Sequence, residues 1–243
     1  MKIGSILAII AVLFLTFFIV SKKWFRGTIV GSGAQITRTI PLDRFEAIKV
    51  SGAYDRVTFI QSDRFELVYE GYQNLYDNLE IRNRNGELII ENKKRFLRMV
   101  SNTPRLTIYG KDLSKVNLSG ATNFYAEHIE NNNQLDIYSS GASEMKIDVK
   151  CPSVKVKLSG AGSVKISGLT RDFTATISGA ADIKAYDLMS ENTEVNISGA
   201  GNAQVYASKS LNAKATGAGN ISYKGDPVVR VKTSGVGSVT KKD

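Results

Sequence analysis

Leu158-Ser159-Gly160-Ala161-Gly162, Ile177-Ser178-Gly179-Ala180-Ala181 and Ile197-Ser198-Gly199-Ala200-Gly201 are one phrase written three times. It continues as Ala215-Thr216-Gly217-Ala218-Gly219 and Thr233-Ser234-Gly235-Val236-Gly237. Upstream it appears around Ser119-Gly120, Ser140-Gly141 and, in isolation, Ser51-Gly52. From Ser119 onward the period is about 18–21 residues, the span of one solenoid coil. Aligned on the serine, the apolar residues fall into columns. Val154, Val156 and Leu158 alternate with Lys155 and Lys157 before the corner, and Val164 and Ile166 flank Lys165 after it. Period two on both sides of a glycine means two short strands per coil, each with one buried face. A single coil has nothing to bury that face against; stacked coils do. The expected fold is all-β, a right-handed parallel β-helix, since parallel crossovers are nearly always right-handed. Seven coils spaced by about 4.8 Å make a rod section about 34 Å long.

The corner glycines are expected to adopt a backbone conformation closed to other residues. The Ser or Thr ahead of each is expected to form a hydroxyl ladder down the stack, each accepting from one neighbour and donating to the next. A second polar column follows: Asn123, Glu144, Ser163, Asp182, Asn202, Asn220 and Ser238. Neither column reads as a reaction centre. No base accompanies any serine, and a carboxylate does not recur down the second column as calcium ligands would have to. No helix follows Gly-Ala-Gly, so it is not a phosphate loop. The sequence therefore implies no cofactor and no metal.

Taken in order, residues 1–21 hold an apolar run, Ile3 to Val20, long enough to cross a bilayer as an uncleaved anchor. A signal peptide is the other reading, but no small-x-small cleavage site follows the run. Three cations after the span, Lys22, Lys23 and Arg26, against Lys2 before it, lean towards a cytoplasmic domain. Residues 22–38 read as a linker and 39–243 as one β-helical domain. Within it, 39–112 is an elaborated first part and 113–243 the regular coils. Asn85-Gly86 is a hairpin signal. Val57 comes one position late against the other copies, which predicts a bulge. The first part is expected to cover the open end of the solenoid. The chain carries 243 residues, a formal charge of +9, one Cys and one His, which fits a single domain and leaves Cys151 with no internal disulfide partner.

Two clusters offer themselves as ligand surfaces. Lys93, Lys94, Arg95 and Arg98 suit an acidic glycan, lipid headgroups or nucleic acid, but a solvated loop accounts for them more simply; no aromatic interleaving supports nucleic acid. Tyr69, Tyr72 and Tyr76 suit a sugar-stacking platform, or the packing of a cap.

Phe45-Glu46-Ala47-Ile48-Lys49-Val50-Ser51-Gly52-Ala53-Tyr54-Asp55, the Asn85-Gly86 hairpin and the Ser-Gly-Ala-Gly coils together resemble the GIN domain, an autotransporter adhesin head family common in Bacteroidetes. The resemblance covers about Ile40 to Val239. It implies an exported β-helix with an adhesive role and no catalytic residues. The reading is then a non-catalytic, inner-membrane-anchored module of the bacterial envelope, presenting its solenoid surface to a cell-surface glycan or protein. The alternatives are a cytoplasm-facing scaffold in envelope-stress signalling and a polysaccharide-degrading β-helix enzyme. The enzyme would need paired acids. Asp136, Glu144 and Asp148 are near one another in sequence, but no second coil reinforces them.

Overall fold

The computed structural model describes residues 28–93, 98–99 and 103–243. The N-terminal apolar run therefore lies outside the described residues. Among those described, no helix is long and apolar enough to cross a membrane. The chain is a β-solenoid of about seven turns.

The first strands do not belong to the regular coils. β1 (Thr28–Ile29) pairs in parallel with β7 (Arg98–Met99). β2 (Gln35–Pro41) pairs antiparallel with β4 (Glu66–Tyr72), and β4 antiparallel with β8 (Arg105–Gly110). β2 thus starts inside the segment read as linker; only Ile36 and Ile40 of it meet the core, too sparse an alternation to announce a strand. β5 (Leu79–Arg84) and β6 (Glu87–Asn92) form the expected hairpin, with Asn85 and Gly86 both at positive φ. One short helix, α1 (Gln73–Asp77), tucks Leu75 into the core.

β3 (Ala47–Gln61) and β9 (Lys115–Glu130) are the first two full coils, paired in parallel through the shared corner Ser51↔Ser119, Gly52↔Gly120. Their register slips between Tyr54 and Val57, where the extra residue was expected. From there the chain winds through β10 (Gln134–Ser139), β11 (Glu144–Lys150), β12 (Ser153–Leu158) and β13 (Ser163–Ile177). It continues with β14 (Asp182–Ala185), β15 (Leu188–Ile197) and β16 (Asn202–Tyr206), then β17 (Ser210–Gly217), β18 (Asn220–Lys224), β19 (Val228–Gly235) and β20 (Ser238–Lys241).

Two long parallel sheets result. Sheet A stacks the segments before each corner: β3, β9, β10, β12, the end of β13, the end of β15, β17 and β19. Sheet B stacks the segments after it: β8, the end of β3, the middle of β9, β11, the start of β13, β14, β16, β18 and β20. A third, shorter side joins them. There Ile129, Val149, Gly168 and Leu188 stack in register. This side escapes a sequence reading of two strands per coil because each of its segments is only two or three residues long.

The buried columns are continuous. Ile48, Val116, Ile137, Val156, Ala175, Val195 and Ala213 stack in register in sheet A. Val57, Phe124, Met145, Val164, Ile183, Ala203 and Ile221 do so in sheet B. All are essentially inaccessible to solvent. Coil length varies by one or two residues along the rod. Val154 pairs with Phe173, 19 residues on; Phe173 with Thr193, 20 on; Thr193 with Leu211, 18 on.

Half of the corner glycines follow expectation: Gly52, Gly120, Gly217 and Gly235 have positive φ, but Gly141, Gly160, Gly179 and Gly199 do not. There the constraint is space. A Cβ on Gly141 would lie 1.9 Å from the Gly120 carbonyl oxygen, and one on Gly160 2.1 Å from that of Gly141. The corner backbones stack at a distance that admits no side chain.

Candidate functional site

The outward surface divides into the outer faces of sheets A and B, the third side and the corner. At the corner the serines do not form the expected hydroxyl ladder. Ser119 Oγ donates to Ser51 Oγ at 2.8 Å. Further on, Ser159, Ser178 and Ser198 donate instead to the carbonyls of Ser139, Leu158 and Ile177 one coil earlier, at 3.4–3.5 Å. The backbone spacing at the corner leaves the carbonyl nearer than the next hydroxyl. Bonded to carbonyls, with no base among their partners, these hydroxyls are structural.

The side-chain ladder exists, one column over. Asn202 Nδ2 donates to Asp182 Oδ1 at 2.9 Å, Asn220 Nδ2 to Asn202 Oδ1 at 3.2 Å, and Ser238 Oγ to Asn220 Oδ1 at 2.8 Å. A second ladder, missed in the sequence, runs Asp172, Asn192, Ser210. The Asn192 amide, and then the Arg171 guanidinium, hold the Asp172 carboxyl below the usual carboxylate range. Short polar residues at a spacing of one coil were the available signal for both.

The tyrosine trio is not a platform. Tyr69 is wholly buried, donates its phenol proton to the Tyr72 carbonyl at 2.8 Å, and meets Tyr76 edge-on at 5.1 Å. Burial, and then the Asp77 carboxylate, push its pKa up to about 12. Tyr72 and Tyr76 pack against the core. A ring that closes the cap is not free to stack on a sugar. Of the basic cluster, Lys94 and Arg95 lie outside the described residues and Arg98 falls in β7. Lys93 donates to the Asp77 carbonyl at 2.7 Å, at the end of α1.

The acids stand apart. Asp136, on sheet A, accepts the Tyr138 phenol proton at 3.1 Å. Asp148 takes Ser167 Oγ on one oxygen at 2.9 Å and faces His128 Nδ1 with the other at 3.1 Å. This trio lacks hydrolase geometry. The serine is bonded to the carboxylate rather than to the imidazole, and the His128 side chain is 88% exposed. Among the described residues no group of three or more His, Cys, Asp or Glu could hold a metal ion.

An open cleft of about 680 Å³ runs along the third side, crossing several coils. Leu169 and Met189, in register and both exposed, form its apolar strip. Ion pairs rim it: Lys150 with Glu130 at 3.2 Å, Arg171 with Asp172 at 2.8 Å, and Lys209 with Glu191 at 2.6 Å. Cys151 sits in its wall, buried, its thiol donating to the Ser153 carbonyl at 3.1 Å, and burial pushes that thiol's pKa up. A smaller recess of about 320 Å³ lies on sheet A beside the corner, around Tyr138 and Lys157.

Residues 44–227 match the family described as "Putative auto-transporter adhesin, head GIN domain". The chain belongs to this family. The expectation drawn from the Ser-Gly-Ala coils and the Asn85-Gly86 hairpin holds. Solved structures share the fold. One is a "putative adhesin" from Bacteroides fragilis NCTC 9343, with a TM-score of 0.83 and 24% identity, covering 88% of this chain and 100% of its own. Another is a "putative lipid binding protein" from Parabacteroides distasonis ATCC 8503, with a TM-score of 0.74 and 24% identity, covering 89% and 100%. A third is a "putative adhesin" from Parabacteroides merdae ATCC 43184, with a TM-score of 0.67 and 22% identity, covering 89% and 100%. At these identities the likeness speaks for the fold. No curated protein matches the chain.

Proposed function

We propose that this GIN-domain chain is a non-catalytic binding module of the bacterial envelope, tethered by residues 3–20 and presenting the outside of its solenoid to a glycan or protein. The winding is taken as right-handed, as parallel crossovers nearly always are. The observation that carries the reading is where volume and chemistry sit. The interior is filled by aliphatic and aromatic columns, while the recesses are open clefts on the outside. A stack of coils holds outward side chains at a fixed spacing, which suits recognition of an extended partner. The family's description as an adhesin head supports the same reading. Against an enzyme stands the dispersal of Asp136, Glu144 and Asp148, the first on a different face from the other two.

The test is a screen of the full chain, in detergent, against arrayed glycans and matrix proteins, with each bound polysaccharide assayed for cleavage. Retention of at least one ligand without new chain ends is expected. Cleavage of a bound polysaccharide, or no ligand across both arrays, would contradict the reading. A second reading, lipid binding, draws on the exposed Leu169 and Met189 and on the name of one fold relative. Acyl-chain displacement in the Leu169→Asp variant reads it directly.

A further inference from the structure

Sheet A differs from the rest of the surface in how its cations are partnered. On sheet B and the third side, several of the lysines that reach outward meet carboxylates, although Lys184 and Lys224 do not among the described residues. Lys146 pairs with Glu127 at 3.2 Å, Lys150 with Glu130 at 3.2 Å, and Lys165 with Asp187 at 4.0 Å. On the outer face of sheet A, Lys115 reaches Glu87 at 3.5 Å, and there the pairing stops. Lys49, Lys155, Lys157, Lys214, Arg230 and Lys232 have no carboxylate at ion-pair distance among the described residues. The three acids on the same face have other partners, Asp136 the Tyr138 phenol, Asp172 the Arg171 guanidinium and the Asn192 amide, and Glu194 the Asn196 amide at 2.9 Å. Six cations on this one face are therefore left without an ion-pair partner among the described residues.

The arrangement along the rod is regular. One outward column reads Lys49, Asn117, Tyr138, Lys157, Thr176, Asn196, Lys214, Lys232, each in register with the next. Lys49, Lys157 and Lys214 are thus three strand spacings apart, about 14 Å. Between them stand two side chains with amide or hydroxyl groups or, in the upper interval, an amide and a ring. Lys157 Nζ lies 5.9 Å from the centre of the Tyr138 ring, over the 320 Å³ recess.

We propose that the outer face of sheet A binds an acidic polysaccharide laid along the solenoid axis, its anionic groups on Lys49, Lys157 and the Lys214–Lys232 pair, with uncharged sugars between. The inference rests on the reading of the chain as a binding module. The occupant follows from what lies between the cations. Asn117, Thr176 and Asn196 donate and accept, as sugar hydroxyls require, and the Tyr138 ring offers an edge or face to one sugar. A membrane surface fits poorly. The exposed large apolar residues are Val30, Ile60, Leu169, Met189, Val228, Val231 and Val236, and of these only Val228, at the last strand, belongs to this outward face. A single-stranded nucleic acid fits poorly too, because the column has one ring where base stacking needs several. Spacing near 14 Å also favours anions separated by neutral units over a densely charged polymer.

The probe is hyaluronan, with one carboxylate per disaccharide, immobilised beside neutral dextran, phosphatidylglycerol vesicles and oligo(dT), with the full chain in detergent as analyte. The K157Q/K214Q/K232Q variant removes three sheet A charges; K146Q/K150Q/K209Q removes three elsewhere, and circular dichroism checks that both fold. Hyaluronan retention that weakens with salt, falls tenfold or more in the sheet A variant and changes less than twofold in the control supports the proposal. Equal losses in the two variants, or stronger binding to vesicles or oligo(dT) than to hyaluronan, would overturn it. Dextran or matrix-protein binding untouched by either variant overturns it while leaving the binding-module reading standing. Absence of any ligand here and on the arrays removes both.

Discussion

At its N-terminal end the solenoid is closed by β2, β4 and β8 and by the β5–β6 hairpin, with Tyr69, Phe45 and Leu75 buried beneath them. At its C-terminal end β19 and β20 pair on one side only. Val231 occupies the column of the fully buried Ala213, yet it is 52% exposed. The same Ser-Gly phrase marks both regions, so the phrase fixes the path of the chain and not the strength with which a coil is held. That strength comes from neighbours on both faces. An edge left open is a pairing hazard, and here Arg230 and Lys232 stand on it, as edge cations commonly do.

The sharpest break of this comparison is a corner glycine. Gly141→Ala places a methyl against the Gly120 carbonyl in the middle of the stack and is expected to cost about 3 kcal/mol or more, lowering the main thermal transition. Gly235→Ala meets the Gly217 carbonyl at 2.5 Å, but the last coil is free to detach. Its main transition should stay in place, with faster amide exchange confined to β19 and β20. Equal melting shifts for the two would mean that the ends are held alike.

Truncating the core should grade in the same direction. Phe124→Ala, under the closed end, is expected to cost about 3–5 kcal/mol in denaturant unfolding. Val239→Ala, half-buried in the last coil, should cost under about 1 kcal/mol. A reversal would show that the open end is covered in solution.

The smallest effect is acidic. Asp172 and Asp226 both have folded pKa values below the unfolded one, Asp172 through Asn192 and Arg171, Asp226 through Lys241. Their contribution is present above the unfolded carboxylate value near 4 and is lost as pH falls through the folded one. Asp172→Asn should therefore flatten the acid side of the melting profile slightly, and Asp226→Asn should affect only the exchange of the last coil. An unchanged acid limb for Asp172→Asn would mean that its ladder contributes nothing.

Much of this architecture was legible in the chain. Coil length follows from the Ser-Gly spacing because a parallel register must be kept or the apolar columns break. The bulge at Val57 and the turn at Asn85-Gly86 are likewise local. The third side was not legible, since Ile129-Glu130 and Val149-Lys150 are too short to show a period. The nature of the corner was not either, because spacing reports where Gly141 lies and not that its Cβ would meet a carbonyl. Of the candidate site, the outward lysines could be read from alternation with Val154 and Val156. Their lack of partners could not, because the carboxylates that pair the other cations, Glu127 and Glu130 late in β9 and Asp187 in a turn, are brought to them only by the fold. The tyrosines misled for a related reason: Tyr69 is separated from solvent by strands distant in sequence.

The central claim is that the solenoid faces outward from the cell as a binding surface. Protease protection tests it most directly, on spheroplasts carrying the full chain, read with an antibody against residues 210–243 and with lysed cells as the control that the fold can be digested. Loss of the signal without lysis is the predicted result. A signal that persists until lysis would place the solenoid in the cytoplasm and contradict the account.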